Sequence, residues 1–141
     1  MKYENLSLLQ VKTLAAALAQ QLDHRGTTIG FIGALGAGKT TFIQAFCKAL
    51  GVKQTKSPSF VIAHQYQTTK KIVYHLDFYR LHKQSQLEHL GLEEILSGKH
   101  MVLIEWVDRF PKLTRLCDLL ISLKFKPNNK RDVAIKIPND K

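Results

Sequence analysis

Apolar residues at Leu8, Val11, Leu14, Ala15, Leu18 and Leu22 recur at three- and four-residue intervals, the spacing of one buried helical face. The pattern predicts a helix over Ser7 to Leu22, with Ser7 or Asn5 as its cap and Gly26 as its stop. TTIGFI (Thr27 to Ile32) is a short apolar run and reads as a buried strand. TTFIQAFCKAL (Thr40 to Leu50) returns to helical spacing, and Gly51 closes it.

Pro58 then blocks helix and biases Ser57 towards extended backbone. Phe60 to Gln67 reads as a strand, TTKK (Thr68 to Lys71) as a turn, and IVYHLD (Ile72 to Asp77) as the hairpin partner. Gly91 and Gly98 divide the next stretch into two short helices. MVLIE (Met101 to Glu105) is an apolar run ending in an acid, the form of a buried strand. Trp106 to Arg115 reads as a connection, and Leu119 to Phe125 and Arg131 to Ile137 as strands joined by the turn-like KPNNK. The order is helix, strand, helix, strand, strand, helices, strand and a final strand pair. It predicts one α/β domain over 1–141, with antiparallel pairs beside a parallel core in a mixed sheet.

The glycine-rich stretch between the first strand and its helix changes the picture most. GALGAGKT (Gly33 to Thr40) fits a glycine, four free positions and Gly-Lys-Thr, the phosphate-binding loop of P-loop nucleotidases. Strand, loop and helix are its required context, so the fold expected is a P-loop NTPase-like three-layer arrangement. Gly33, Gly36 and Gly38 are expected to take positive φ and bring the backbone close to a phosphate. The N–H groups from Gly33 through Leu35, Ala37 and Lys39 would converge on phosphate oxygens, with Thr40 and Thr41 opening the helix behind them. Lys39 would meet the β- and γ-phosphates, and the Thr40 hydroxyl is the expected Mg2+ ligand.

Such a loop needs an acid for the metal. Asp77 and Glu105 both end strands, and Glu105 best fits the rule that ligands gather beyond the carboxyl ends of parallel strands. Glu105 could bind Mg2+ or polarise water; Asp77 could bind Mg2+ or anchor the site. His75 and Asp77 share one strand face, but no third ligand at zinc spacing accompanies them, so His75 reads as structural.

Charge and composition add less. The net charge of +10 and pI near 9.8 favour negatively charged partners such as RNA or nucleotide. Cys47 and Cys117 form no C-x-x-C, which suits a reducing compartment. LAAALAQ mimics the end of a leader, yet Gln10 and Lys12 interrupt any apolar run before it. A cytoplasmic location is expected.

Five motifs in order, GALGAGKTT (Gly33 to Thr41), SPSF (Ser57 to Phe60), HLDFYRL (His75 to Leu81), LGLEE (Leu90 to Glu94) and IEW (Ile104 to Trp106), resemble the bacterial TsaE family. That resemblance implies a small ATPase of tRNA N6-threonylcarbamoyladenosine biosynthesis that works with a TsaB–TsaD pair and uses ATP and Mg2+. It implies that Thr40 and Glu105 serve the metal, that Asp77 and Thr41 support turnover, and that the SPSF segment senses nucleotide. The chain departs from the family pattern at Ala34 (for Asp), Ser59 (for Thr) and Gln86 (for Glu). Rival readings are a GTPase, because NKRD (Asn129 to Asp132) matches the guanine-reading pattern, a P-loop small-molecule kinase, and a nucleotide-dependent binding switch. The NKRD run falls in an expected hairpin turn, and no arginine-bearing lid is visible for a kinase.

Overall fold

Residues 1–22, 26–53, 55, 63–68 and 71–138 are described by a computed structural model of the chain. The SPSF segment, and the residues 60–62 expected to start its strand, lie outside the described residues. The chain runs through β1 (Lys2–Leu6), α1 (Leu8–Leu22), β2 (Thr27–Ile32), α2 (Lys39–Ala49), β3 (Ala63–Gln67) and β4 (Ile72–Asp77). It continues through α3 (Gln84–Glu88), α4 (Leu92–Ser97), β5 (Met101–Glu105), a 3-10 turn (Val107–Arg109), α5 (Pro111–Leu116), β6 (Leu119–Lys126) and β7 (Lys130–Lys136).

The strands form one mixed sheet in the order β1-β7-β6-β2-β5-β4-β3. The central strands β6, β2, β5 and β4 are parallel, and β7, β1 and β3 add antiparallel pairs at the two edges. The expected mixed sheet is present, and its parallel centre is why TTIGFI and MVLIE carry no polar alternation: both strands are buried on both faces. α1 and α2 cover one face over a core that includes Val11, Phe31, Phe42, Phe46 and Ile121. The other face is closed by Phe78, Leu87, Leu92, Phe110 and Leu113 from the short helices and their connections. At about 25 cal/mol per Å2 of apolar area, such a ring as Phe31 or Phe42, fully buried and edge-on to its partner, contributes roughly 2–3 kcal/mol.

Two expectations need correction. A strand, β1, precedes the first helix; it hangs on β7 with a bulge between Tyr3 and Leu6, and the N–H of Asn5, at φ 54°, donates to Asp132 Oδ1 at 2.9 Å. KYENL has too few apolar positions to show a strand period, as is usual for an outer strand that must discourage further pairing. The connection after Trp106 also contains helix: Pro111 stands at the start of α5, where its missing N–H costs nothing and its ring presets φ.

Glycine matters here for closeness. A Cβ on Gly30, in the middle of β2, would fall 2.6 Å from Val107 Cγ1, 2.9 Å from Leu120 Cδ2 and 3.0 Å from Cys117 Sγ. The 3-10 turn that follows Trp106 is thus packed onto bare backbone. Gly30→Ala should lower the thermal denaturation midpoint, with a stability loss of about 1–3 kcal/mol from overpacking; an unchanged midpoint would mean that the turn moves away freely.

Candidate functional site

β2 delivers the chain to the glycine loop at the carboxyl end of the parallel strands. Gly36 and Gly38 take positive φ, 79° and 103°, as expected; Gly33 does not. Gly33 is required for a different reason: a Cβ there would stand 2.6 Å from the carbonyl oxygen of Leu123 on β6. The Ala37 N–H donates to Ala34 O at 3.1 Å, closing the turn, and Phe42 N–H donates to Gly38 O at 3.0 Å as α2 begins. Among the described residues no side chain caps α2, so its first-turn amides and positive dipole end are open to an anion. Leu35 and Thr40 are exposed, Thr41 is half-buried and Ala37 is buried.

Lys39, at the first position of α2, is 5% exposed. Its ammonium donates to Gly33 O and lies 3.6 Å from the centre of the Trp106 ring, a cation–π contact. Burial pulls its pKa below the ordinary lysine value, against the opposing charges of Glu105, Asp77 and Asp108. Trp106 is held at φ 60°, an uncommon backbone for a large side chain. That turn carries the chain from β5 into the 3-10 turn, with Trp106 N–H donating to Phe31 O at 3.1 Å. Tyr79 flanks the indole at 5.1 Å between centroids, and the Arg109 guanidinium carbon lies 5.4 Å from each ring. Arg109, isolated in sequence, thus shares the Trp106 ring with Lys39, and its Nη1 is 3.1 Å from His82 Nδ1.

The two candidate acids sit side by side. Asp77 and Glu105 are register partners on the parallel strands β4 and β5. Burial raises the Asp77 carboxyl; the Tyr79 N–H, donating at 2.9 Å, lowers it, and the charge of Glu105 raises it again. Two carboxylates this close favour a cation between or beside them. Glu105 is 3% exposed and its Oε2 accepts from His75 Nε2 at 2.7 Å. His75, read from sequence as structural, is therefore the positioning partner of Glu105 and takes one of its two oxygens. Its Nδ1 is buried with no partner among the described residues. Sequence reasoning missed this pair because it depends on strand register, which sets His75 opposite Leu103, two residues before Glu105 on the same strand.

Among the described residues, no group of three or more His, Cys, Asp or Glu could hold a metal ion alone. A donor set of one or two carboxylates and a hydroxyl suits Mg2+, which keeps waters and takes the rest of its shell from phosphates. The three departures from the family pattern fall differently. Ala34 is exposed and contributes its carbonyl to the loop turn. Gln86 Oε1 accepts from the N–H groups of His82 and Lys83 at 2.8 and 3.0 Å, a role a carboxylate oxygen would fill. Ser59 lies outside the described residues.

A glycine loop between a central parallel strand and an uncapped helix, within a mixed sheet covered on both faces, defines a P-loop NTPase-like α/β protein. The family model described as threonylcarbamoyl adenosine biosynthesis protein TsaE matches residues 7–133. The chain is 37% identical over 125 residues to the tRNA threonylcarbamoyladenosine biosynthesis protein TsaE of Aquifex aeolicus, covering 86% of this chain and 85% of that protein. It is 33% identical over 135 residues to the Bacillus subtilis protein of the same name, covering 95% and 84%. A crystal structure of YdiB from Bacillus subtilis superposes with a TM-score of 0.78 at 26% identity, covering 99% of this chain and 86% of that one. The chain belongs to the TsaE family of tRNA threonylcarbamoyladenosine biosynthesis.

Proposed function

We propose that this chain is a Mg2+-dependent ATPase that serves tRNA N6-threonylcarbamoyladenosine biosynthesis together with TsaB- and TsaD-type proteins. The observation that carries this reading is the convergence of Lys39, on the glycine loop, with the register pair Asp77 and Glu105. One buried cation and two acids around an anion-binding loop are what a metal-bound triphosphate requires.

In this reading the amides from Gly33 to Lys39 cradle the phosphates and Lys39 exchanges its contact with Gly33 O for phosphate oxygens. Thr40 and Glu105 hold Mg2+, with Asp77 as a further ligand or anchor; the metal, when bound, would neutralise charge on the β- and γ-oxygens. His75 keeps Glu105 in one orientation. Asp77 and Thr41 support hydrolysis by orienting the attacking water. No helix among the described residues is long and apolar enough to cross a membrane, and we place the protein in the cytoplasm, close to tRNA by its charge and its partners.

Steady-state ATP hydrolysis with Mg2+ tests the reading, first with the chain alone and then with its TsaB and TsaD counterparts. Slow turnover alone should rise about tenfold or more when the partners complete the site. Indifference to both partners would leave the chain without the role proposed here.

A further inference from the structure

Lys39 carries the charge of an anion-binding loop, yet it is shut away from solvent. It is 5% exposed, its ammonium donates to Gly33 O, and the centre of the Trp106 ring lies 3.6 Å from it. An incoming phosphate oxygen must come within about 3 Å of that same nitrogen. With so little of the lysine open, something around it has to give way first.

The backbone at Trp106 is pinned. Trp106 N–H donates to Phe31 O at 3.1 Å, and Trp106 O accepts from Arg109 N–H at 3.2 Å. These bonds fix the left-handed turn at φ 60° and leave rotation of the side chain as the available movement. The indole is held down by other side chains. The Tyr79 ring lies 5.1 Å from it between centroids, and the guanidinium carbon of Arg109 is 5.4 Å from the centre of each ring. Arg109 Nη1 donates to His82 Nδ1 at 3.1 Å. The stack joins the two segments that leave the acids: Tyr79 and His82 follow β4 and Asp77, whereas Trp106 and Arg109 follow β5 and Glu105. Tyr79 N–H is itself bonded to Asp77 Oδ1 at 2.9 Å, so that side of the stack is anchored at the acid pair.

We propose that Arg109 is a positioning residue that clamps Trp106 over Lys39, and that the indole is a cover which must lift before a phosphate chain reaches the ammonium. This rests on the nucleotide reading above and adds to it a step that precedes binding. Arg109 is exposed and acts through two rings and one hydrogen bond, contacts that are each weak at such a position. Together they keep the closed form in excess without locking it. The chain then binds only from the fraction with its cover lifted, and its apparent affinity falls by that fraction.

Trp106 is the only tryptophan in the chain, so its emission reports on the cover. Stopped-flow mixing with Mg2+–ATP should show association about fivefold faster in Arg109→Ala than in the wild-type chain, with dissociation unchanged. Before any nucleotide is added, acrylamide should quench the emission of the variant more strongly. Arg109→Lys keeps a cation over the rings and should return most of the slow association. Equal or slower association in Arg109→Ala would overturn the proposal, and so would equal quenching of the two emissions. Dissociation that quickens as much as association would also sink it, because the arginine would then slow all movement of the indole without favouring the closed form. A wild-type chain that binds no Mg2+–ATP by calorimetry would instead remove the nucleotide reading, and the purpose of the cover with it, before any variant is made.

Discussion

Lys39→Ala should lower the affinity for Mg2+–ATP by roughly a hundredfold and leave the thermal midpoint nearly unchanged. The affinity follows from charge-assisted hydrogen bonds to phosphate, at about 1.5–3 kcal/mol for a charged partner. The indifference of the fold follows from the local chemistry. The ammonium is buried, and burial already pulls its pKa down, so removing it relieves a desolvated charge while breaking its contacts with Gly33 O and Trp106. These opposing changes offset each other to within about 1 kcal/mol. Calorimetric titration with ATP, beside a thermal melt, reads both halves of the prediction. Tight ATP binding in the variant would remove the glycine loop as the nucleotide site.

Glu105→Gln and Glu105→Ala should each lower kcat for ATP hydrolysis by about a hundredfold or more, the scale of losing a group that acts on charge in the transition state. Their stabilities should differ. Glutamine can still accept from His75 Nε2, whereas alanine leaves that buried donor unpaired, at a cost of about 1–3 kcal/mol. The pair of variants therefore separates catalysis from folding: both lose turnover, and only the alanine form melts lower. Full activity in both would move the metal role to Asp77, the neighbour in register.

The central elements were legible in the sequence because their signals are local. TTIGFI and MVLIE are buried on both sides and read as unbroken apolar runs, and α1 shows its inner face at helical intervals. KPNNK read as a turn, and Asn128 and Asn129 do adopt left-handed backbone there. What was not legible depends on which strand lies beside which. The need for Gly33 comes from the carbonyl of Leu123 on the neighbouring strand, not from its own φ. The bond between His75 and Glu105 spans 30 residues. Arg131 sits in a run that reads as surface turn, yet its side chain is buried against the loop. The residues of the candidate site are nominated by motif spacing; the contacts that orient them follow only from the sheet.

Cys47 and Cys117 are both fully buried, but they belong to opposite layers, one under α1 and α2 and the other beneath the 3-10 turn and α5. The sheet between them keeps the two sulfurs apart, and burial pushes the Cys47 thiol up to about 12. Each sulfur therefore meets a water-soluble alkylating reagent only when its own layer opens. The chain carries two internal clocks, one per layer, whose modification rates tell whether the halves of the molecule breathe together or separately.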